Sequence, residues 1–285
     1  MIGKTRQKAA AVLEEVHDPE VGAARGVLRR PLPAGKMRHS RRRPAVDLAA
    51  WITHYWMIEW DLRGCEPHVA ESLPHPNVHL VFEESATSVA GVQTYKFSRL
   101  LEGRSKVFGV KFRAGGFRPF VDAPVSMLAD RVVPAEGIFG KEIHALRAIV
   151  FSPAAEDERV AAADAFFHAR APQPDETVAL ASGLVEQILT DGEIKTVDDL
   201  VLRSRIGKRS LQRIFNEYVG QSPKWVIQRY RLHEVIERFR SGDVLDWAQL
   251  ALELGYFDQA HLINDFKAMV GYTPTQYREI LSKSS

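Results

Sequence analysis

One pattern occurs twice near the end of the chain, at residues 196–220 and again at 246–271. Each copy predicts a short helix, a break, and a second helix with apolar residues on one face and polar residues on the other. Nearly every apolar residue after 177 recurs at helical spacing. The sequence therefore predicts an all-helical C-terminal region built from two helix-turn-helix units.

The first copy opens on Thr196 and Asp199, which have the spacing of a capping box. A break is expected around 206–207, and Gly220 ends the second helix. The exposed face of that second helix carries groups suited to base recognition, because arginine pairs with guanine and glutamine or asparagine with adenine. These residues are Arg209, Gln212, Arg213 and Asn216.

The second copy opens at Asp246 and turns at Gly255, a residue that tolerates positive φ. The outward-facing side of its second helix is expected to carry Gln259, Ala260, Ile263, Asn264 and Lys267. A helix predicted from Ser222-Pro223 to about Arg240 joins the copies and is about 26 Å long. A connecting helix of this length could place the outward faces of the two second helices one DNA turn apart, about 34 Å, on the same duplex. The pattern alone leaves an ordinary helical bundle equally open.

Charge is divided unevenly along this region. Residues 201–240 hold ten basic and three acidic side chains, whereas 241–285 hold three basic and six acidic ones. A concentrated basic stretch is expected of a surface that contacts phosphates. We therefore expect the first unit to supply most of the affinity for a polyanion, and the second to gain less from counterion release.

At these residues the sequence resembles the AraC/XylS family of bacterial transcription regulators. The resembling stretches are 211–215, 219–223, 230–232, 250–256, 266–267, 271–274 and 277–278, within a region of about 178–283. The resemblance implies two helix-turn-helix units that contact adjacent major-groove segments, with Arg209, Gln212, Arg213, Gln259, Ala260 and Asn264 facing bases. Three features depart from the family. Arg205 and Gly207 stand where glycine and a capping serine are more usual, Asn264 replaces a frequent arginine, and the second unit is acidic.

The N-terminal part has the alternation of strands, for example at 56–62, 78–82 and 107–112. Its residues 41–140 resemble the sensing or dimerising domains of that family, which are often cupin-like. The predicted fold class is thus α+β with two domains, a β-rich, barrel-like (cupin-like) N-terminal domain and an all-α C-terminal domain. The expected division is a flexible leader at 1–25, an effector-sensing or dimerisation domain at 26–170, a Pro-containing linker at 171–177, and the DNA-binding domain at 178–285.

Other classes of function find less support in the sequence. It has no glycine-rich phosphate loop and no nucleophile elbow, so no enzyme activity and no catalytic residue are predicted. The lone Cys65 leaves no disulfide framework. His68, His75 and His79 invite a metal site, but the last two would lie about 13 Å apart along a strand, so neither metal nor cofactor is expected. A cupin-like metal-dependent enzyme remains an alternative, as does an adaptor that has lost DNA binding.

The expected partner is double-stranded operator DNA. RNA polymerase, a small-molecule effector and a second copy of the chain are further partners that the resemblance implies. The chain has no run of about 18 apolar residues that would span a membrane. Its first residues lack the apolar segment of a secretion signal, so the expected location is the cytoplasm.

Overall fold

The computed structural model describes residues 14–17, 21, 26–28, 35–241 and 246–282. Most of the predicted leader at 1–25 lies outside these residues. Within it, Glu14–His17 form a strand that runs parallel to Met37–Arg42.

In the described residues, the N-terminal part forms ten strands in two sheets. They are β1 Glu14–His17, β2 Val27–Leu28, β3 Met37–Arg42, β4 Ile52–Asp61, β5 His68–Ser72, β6 His79–Phe82, β7 Thr87–Ala90, β8 Phe97–Leu101, β9 Arg104–Phe112 and β10 Val132–Pro134. The larger sheet has the order β1-β3-β4-β9-β6-β7-β10, and the smaller one the order β2-β5-β8. The β-rich fold is confirmed, but over the described residues neither sheet closes into a barrel.

The long central strands β4 and β9 are apolar on both faces. Tyr55 and Met57 of β4 enter the main core, together with Phe108, Val110 and Phe112 of β9. The alternate residues Trp56, Ile58 and Trp60 pack in a smaller apolar cluster with Leu101 and Ala70 of the smaller sheet. The alternation at 56–62 predicted one apolar face of β4, the one that carries Trp56, Ile58 and Trp60. In the structure Tyr55 and Met57, on the opposite face, are buried because β4 is covered on both sides.

Ten α-helices follow the last strand in the part of the chain that the structure describes. They are α1 Glu136–Phe139, α2 Ile143–Phe151, α3 Glu156–His168, α4 Glu176–Thr190, α5 Val197–Ser204, α6 Lys208–Ile214, α7 Pro223–Arg240, α8 Trp247–Glu253, α9 Gln259–Val270 and α10 Pro274–Ser282. The first three pack on the larger sheet, where the Tyr55 hydroxyl donates to the Asp164 carboxylate of α3 at 2.7 Å. None of the described helices is both long and apolar enough to cross a membrane.

The helices after α3 surround two further apolar clusters. Leu200, Leu211, Phe215 and Val226 belong to one, and Val235, Leu250, Leu262 and Phe266 to the other. The helix α7 contributes apolar residues to both clusters, so it packs against both of these small helical cores. Leu28 and Leu73 of the β-rich part also enter the second cluster. The C-terminal helices are therefore packed against the N-terminal sheets.

Candidate nucleic-acid interface

The first helix-turn-helix unit begins with the capping box that the sequence predicts. The Thr196 hydroxyl accepts from the Asp199 amide at 3.2 Å, and the Asp199 carboxylate accepts from the Thr196 amide at 2.8 Å. These bonds satisfy amides at the start of α5, which have no partner inside the helix. The core residue Leu200 then fixes α5 against α6.

The turn between α5 and α6 contains a strained residue. Arg205 ends α5 with φ 57° and ψ 23°, in the left-handed region that disfavours residues with a Cβ. Gly207 starts α6 without a side-chain cap, as its lack of a hydroxyl requires. The Ser204 hydroxyl accepts from the Ile206 amide at 3.3 Å and thereby stabilises the turn in place of the missing cap.

The second helix of the unit, α6, continues as a π-helical turn at Phe215–Val219. We call α6 with this turn the first reader helix. Its apolar residues Leu211, Ile214 and Phe215 are buried. The four predicted base-facing residues are all exposed along its other side; they are Arg209, Gln212, Arg213 and Asn216. Gly220 ends the helix with φ 89°, as predicted.

The second unit is formed by α8 and α9. The Asp246 carboxylate caps α8 by accepting from the amides of Ala248 and Gln249, and Gly255 takes φ 77° in the turn. Asp258 then caps α9, which we call the second reader helix, by accepting from the His261 amide at 2.7 Å. Its predicted contact residues are again exposed; they are Gln259, Ala260, Asn264 and Lys267.

The two units are joined by more than the helix α7. Gly255, in the turn of the second unit, lies so close to Lys195 that a Cβ on the glycine would stand 2.9 Å from the Lys195 Cβ. Lys195 directly precedes the capping box of the first unit. The turn of one unit thus rests on the start of the other, so the two units are in direct contact as well as joined by α7.

Only some of the basic residues at 201–240 are available to a polyanion. Arg229 and Arg231 are buried. Others form ion pairs, namely Arg203 with Asp191, Lys208 with Asp198, and Arg238 with Glu234 and Glu253. Within the part of the chain that the structure describes, four exposed cations of this stretch have no ion pair: Arg205, Arg209, Arg213 and Lys224. Among the described residues of this stretch, the exposed cations without an ion pair therefore lie in the turn, on the first reader helix and at the start of α7.

The β-rich part touches the first unit, which sequence analysis did not anticipate. A Cβ on Gly220 would lie 2.9 Å from Cγ1 of Val125, which belongs to a turn of the N-terminal part. The Arg118 guanidinium pairs with the Glu217 carboxylate of the first reader helix at 3.2 Å. Beside these contacts is a cleft of about 540 Å³, lined by Ser126 and Ala129 on one side and by Gln212 and Asn216 on the other. Two candidate base-contacting residues therefore border the N-terminal part.

The histidines of the β-rich part are distributed rather than gathered. His79 accepts from the Trp56 indole at 3.3 Å, and His75 stacks on His233 of α7 with 4.7 Å between ring centroids. Burial lowers the pKa of His54 to about 2, with the nearby cations Lys111 and Arg41 acting in the same direction. Over the residues that the structure describes, no three His, Cys, Asp or Glu side chains come together as metal ligands.

Two helix pairs, each with a capped first helix and an exposed second helix, contact one another and form a tandem helix-turn-helix arrangement. Residues 200–280 match the family described as "Helix-turn-helix domain". Residues 40–134 match a separate family described as "Domain of unknown function (DUF6597)". The β-rich part and the tandem helix-turn-helix part are thus each similar to a different family.

A relative in Haemophilus influenzae, described as an uncharacterized HTH-type transcriptional regulator, is 29% identical over 99 residues. The match covers 35% of this chain and spans about a third, 32%, of that relative's length. Among solved structures, apo ToxT of Vibrio cholerae gives a TM-score of 0.39 at 13% identity, covering 80% of this chain and 97% of ToxT. ToxT with a bound unsaturated fatty acid gives 0.36 at 13% identity, covering 75% and 87%.

Proposed function

We propose that the protein is a sequence-specific DNA-binding transcription regulator that contacts two adjacent major-groove segments of an operator. The observation that carries this proposal is the pair of reader helices, both exposed along their polar faces and fixed to each other through α7 and the Gly255–Lys195 contact. An α-helix fits the major groove, where each base pair presents a distinct pattern of donors and acceptors.

The residues of the two reader helices have different roles in this proposal. On the first helix, Arg209 and Arg213 pair with guanine edges, and Gln212 and Asn216 with adenine. On the second, Gln259 and Asn264 donate to and accept from bases, and the small Ala260 contacts a thymine methyl. Lys267 follows as a phosphate contact.

The distribution of exposed charge makes the first unit the main source of affinity. Each phosphate that a cation neutralises releases counterions and steepens the dependence of binding on salt. The first unit offers Arg205, Arg209 and Arg213 without internal ion pairs, and the start of α7 adds Lys224. The second unit has acidic residues next to its reader helix, including the exposed Glu253 and Asp258. It contributes sequence choice more than affinity.

The β-rich domain modulates binding through its contacts with the first reader helix. It reaches that helix at Val125 and Arg118, beside the cleft that Gln212 and Asn216 line. A ligand or a second copy of the chain changes operator affinity only if it binds better to one arrangement of the contact between the domains than to another.

The proposal assigns one role to each part of the chain. Residues 26–170 sense a ligand or dimerise, residues 171–177 connect the domains, and residues 178–285 bind DNA. A regulator of this kind would contact RNA polymerase and act in the cytoplasm. The proposal includes no cofactor and no enzyme activity.

Selection of binding sites from a random DNA library, repeated at several salt concentrations, tests the proposal. We expect enrichment of two half-elements about one turn apart, about 34 Å. Binding without enrichment that disappears steeply as salt rises would show contact by charge alone and would contradict the proposal. Absence of binding at every salt concentration would favour the adaptor that has lost DNA binding.

A further inference from the structure

Arg229 lies where the helix α7 meets the N-terminal domain, and its side chain is completely buried. The Nε atom donates to the carbonyl oxygen of Pro74. The two terminal nitrogens, Nη1 and Nη2, have no hydrogen-bond partner in the part of the chain that the structure describes. Burial lowers the pKa of Arg229 to about 9, so the guanidinium stays charged at neutral pH.

A second buried arginine on the same helix, Arg231, has partners for both of its terminal nitrogens. Arg231 donates from Nη2 to the carbonyl oxygens of Ile188 and Asp191 at the end of α4, at 2.9 and 3.2 Å. Its Nη1 pairs with the Glu234 carboxylate at 3.1 Å. Arg231 therefore stabilises the C-terminus of a helix, whereas nothing comparable meets the terminal nitrogens of Arg229 among the described residues.

No carboxylate of the described residues neutralises Arg229. The buried carboxylate of Glu71, three residues before Pro74, is already bound by Lys96 Nζ at 2.6 Å and by the Tyr272 hydroxyl at 3.0 Å. An isolated buried cation is costly, because it loses its hydration without gaining a partner. The Arg229 guanidinium therefore lacks an anionic partner among the described residues.

The neighbourhood of Arg229 adds further polar groups from both domains. His233 is one turn further along α7, on the same face, and its ring stacks on His75 of the N-terminal domain. Gly26 packs against the His233 ring, where a Cβ would stand 2.6 Å from Cε1. Three chain segments, around residues 26, 74 and 229, thus meet at one seam between the domains.

We propose that Arg229 anchors a binding site for an oxyanion, a carboxylate or phosphate group, at this seam. The planar guanidinium presents two parallel N–H donors, which match two oxygens of one such group. A bound anion would neutralise the charge and supply the missing hydrogen bonds. Because Arg229 lies on the helix that joins the two units while Pro74 and His75 belong to the β-rich domain, occupancy of this site bears on the junction between sensing and DNA-binding parts.

Thermal unfolding of the full chain tests the site directly, with acetate or inorganic phosphate replacing chloride at constant ionic strength and pH. We expect one or both oxyanions to raise the Tm saturably, by about 5 °C at a hundredfold excess over Kd, while chloride does not. A response to acetate only or to phosphate only identifies the class of ligand. Equal Tm values in all three salts would overturn the proposal.

Three variants assign the response to Arg229. We expect Arg229→Met to lose the anion response without lowering the Tm in chloride, since an apolar side chain replaces an unpaired buried charge. Arg231→Met, the matched control, should lower the Tm in chloride yet keep the response. An unchanged response in Arg229→Met would contradict the proposal. Arg229→Lys retains the charge but not the fork, and should weaken anion binding at least tenfold in calorimetric titration.

These measurements contain no DNA, so they stand or fall independently of the proposed function. The proposed function enters only when operator binding is measured with and without the anion. Loss of anion binding with intact operator binding would remove this site alone. Anion binding by a chain that selects no DNA sequence would leave the site in place and remove the regulator.

Discussion

Replacing Gly220 by alanine probes the contact between the β-rich domain and the first reader helix. Gly220 has φ 89°, and a Cβ there would stand 2.9 Å from Cγ1 of Val125 and 3.3 Å from its carbonyl group. The left-handed backbone costs an L-residue about 1–2 kcal/mol, and overpacking adds about 1–3 kcal/mol. We therefore expect Gly220→Ala to lose about 3 kcal/mol of stability and about 6 °C in Tm.

A double-mutant cycle separates the two contributions to that loss. Val125→Ala removes the Cγ1 atom that the new Cβ meets, so the two substitutions together should cost about 1 kcal/mol less than the sum of each alone. The stability cost of the left-handed backbone at residue 220 should remain in the double variant. Gly183→Ala is the matched control, because Gly183 lies inside α4, has no positive φ, and would place its new Cβ with nothing within 4 Å.

For that control we expect a gain of about 0.5–1 kcal/mol, since alanine is the better helix former. All variants are compared by thermal unfolding of the full chain, followed by circular dichroism. If Gly220→Ala is as stable as the unchanged chain, or if the two substitutions are simply additive, the contact between Val125 and the first reader helix does not have the geometry described.

Three further predictions concern single side chains. Arg213→Ala should cost about 1–3 kcal/mol on the selected DNA and remove preference at one base pair in binding assays; an equal loss on random DNA would make Arg213 a phosphate contact. Arg205→Gly should gain about 1 kcal/mol of stability in urea unfolding by relieving the left-handed backbone, and a loss would show that the turn is unstrained. Because His54 stays neutral when folded but takes up a proton below pH 6.5 when unfolded, its contribution to stability falls by about 2 kcal/mol between pH 7 and 5. His54→Gln should show a correspondingly flatter pH dependence of unfolding, and an identical slope would refute the low pKa of His54.

The local structure of the two helix-turn-helix units was predictable from the sequence because local signals determine it. The capping box at Thr196 and Asp199 is present as expected, and α7 begins at Pro223 after the Ser222 cap and ends at Arg240. Caps, prolines and glycines act over one helical turn, so their effect can be inferred without knowing the rest of the fold.

What the sequence could not reveal depends on contacts between distant segments. The count of basic residues treated Arg229 and Arg231 as surface charge, but both are buried because α7 is enclosed by other helices and by the N-terminal domain. The contact between Val125 and Gly220 joins residues 95 positions apart, and no local sequence pattern predicts it. The π-helical turn at Phe215–Val219 was likewise not predicted from the sequence.

The candidate site was predicted in its residue types but not in its setting. Spacing alone placed Gln212 and Asn216 on a polar face, and both are exposed. Their position beside Ser126 and Ala129 could not be foreseen, because it requires the docking of one domain on the other.

The contact of Gly255 with Lys195 has a consequence for the DNA rather than for the protein. The turn of the second unit rests against the start of the first, and this contact opposes a shift of one reader helix relative to the other. If the chain binds the proposed operator, a mismatch in spacing would then fall in part on the base pairs between the two half-elements, which would bend or twist. Flexible pyrimidine–purine steps deform at lower cost than stiff A-tracts. The operator would thus be selected in part by the mechanical properties of bases that no side chain touches.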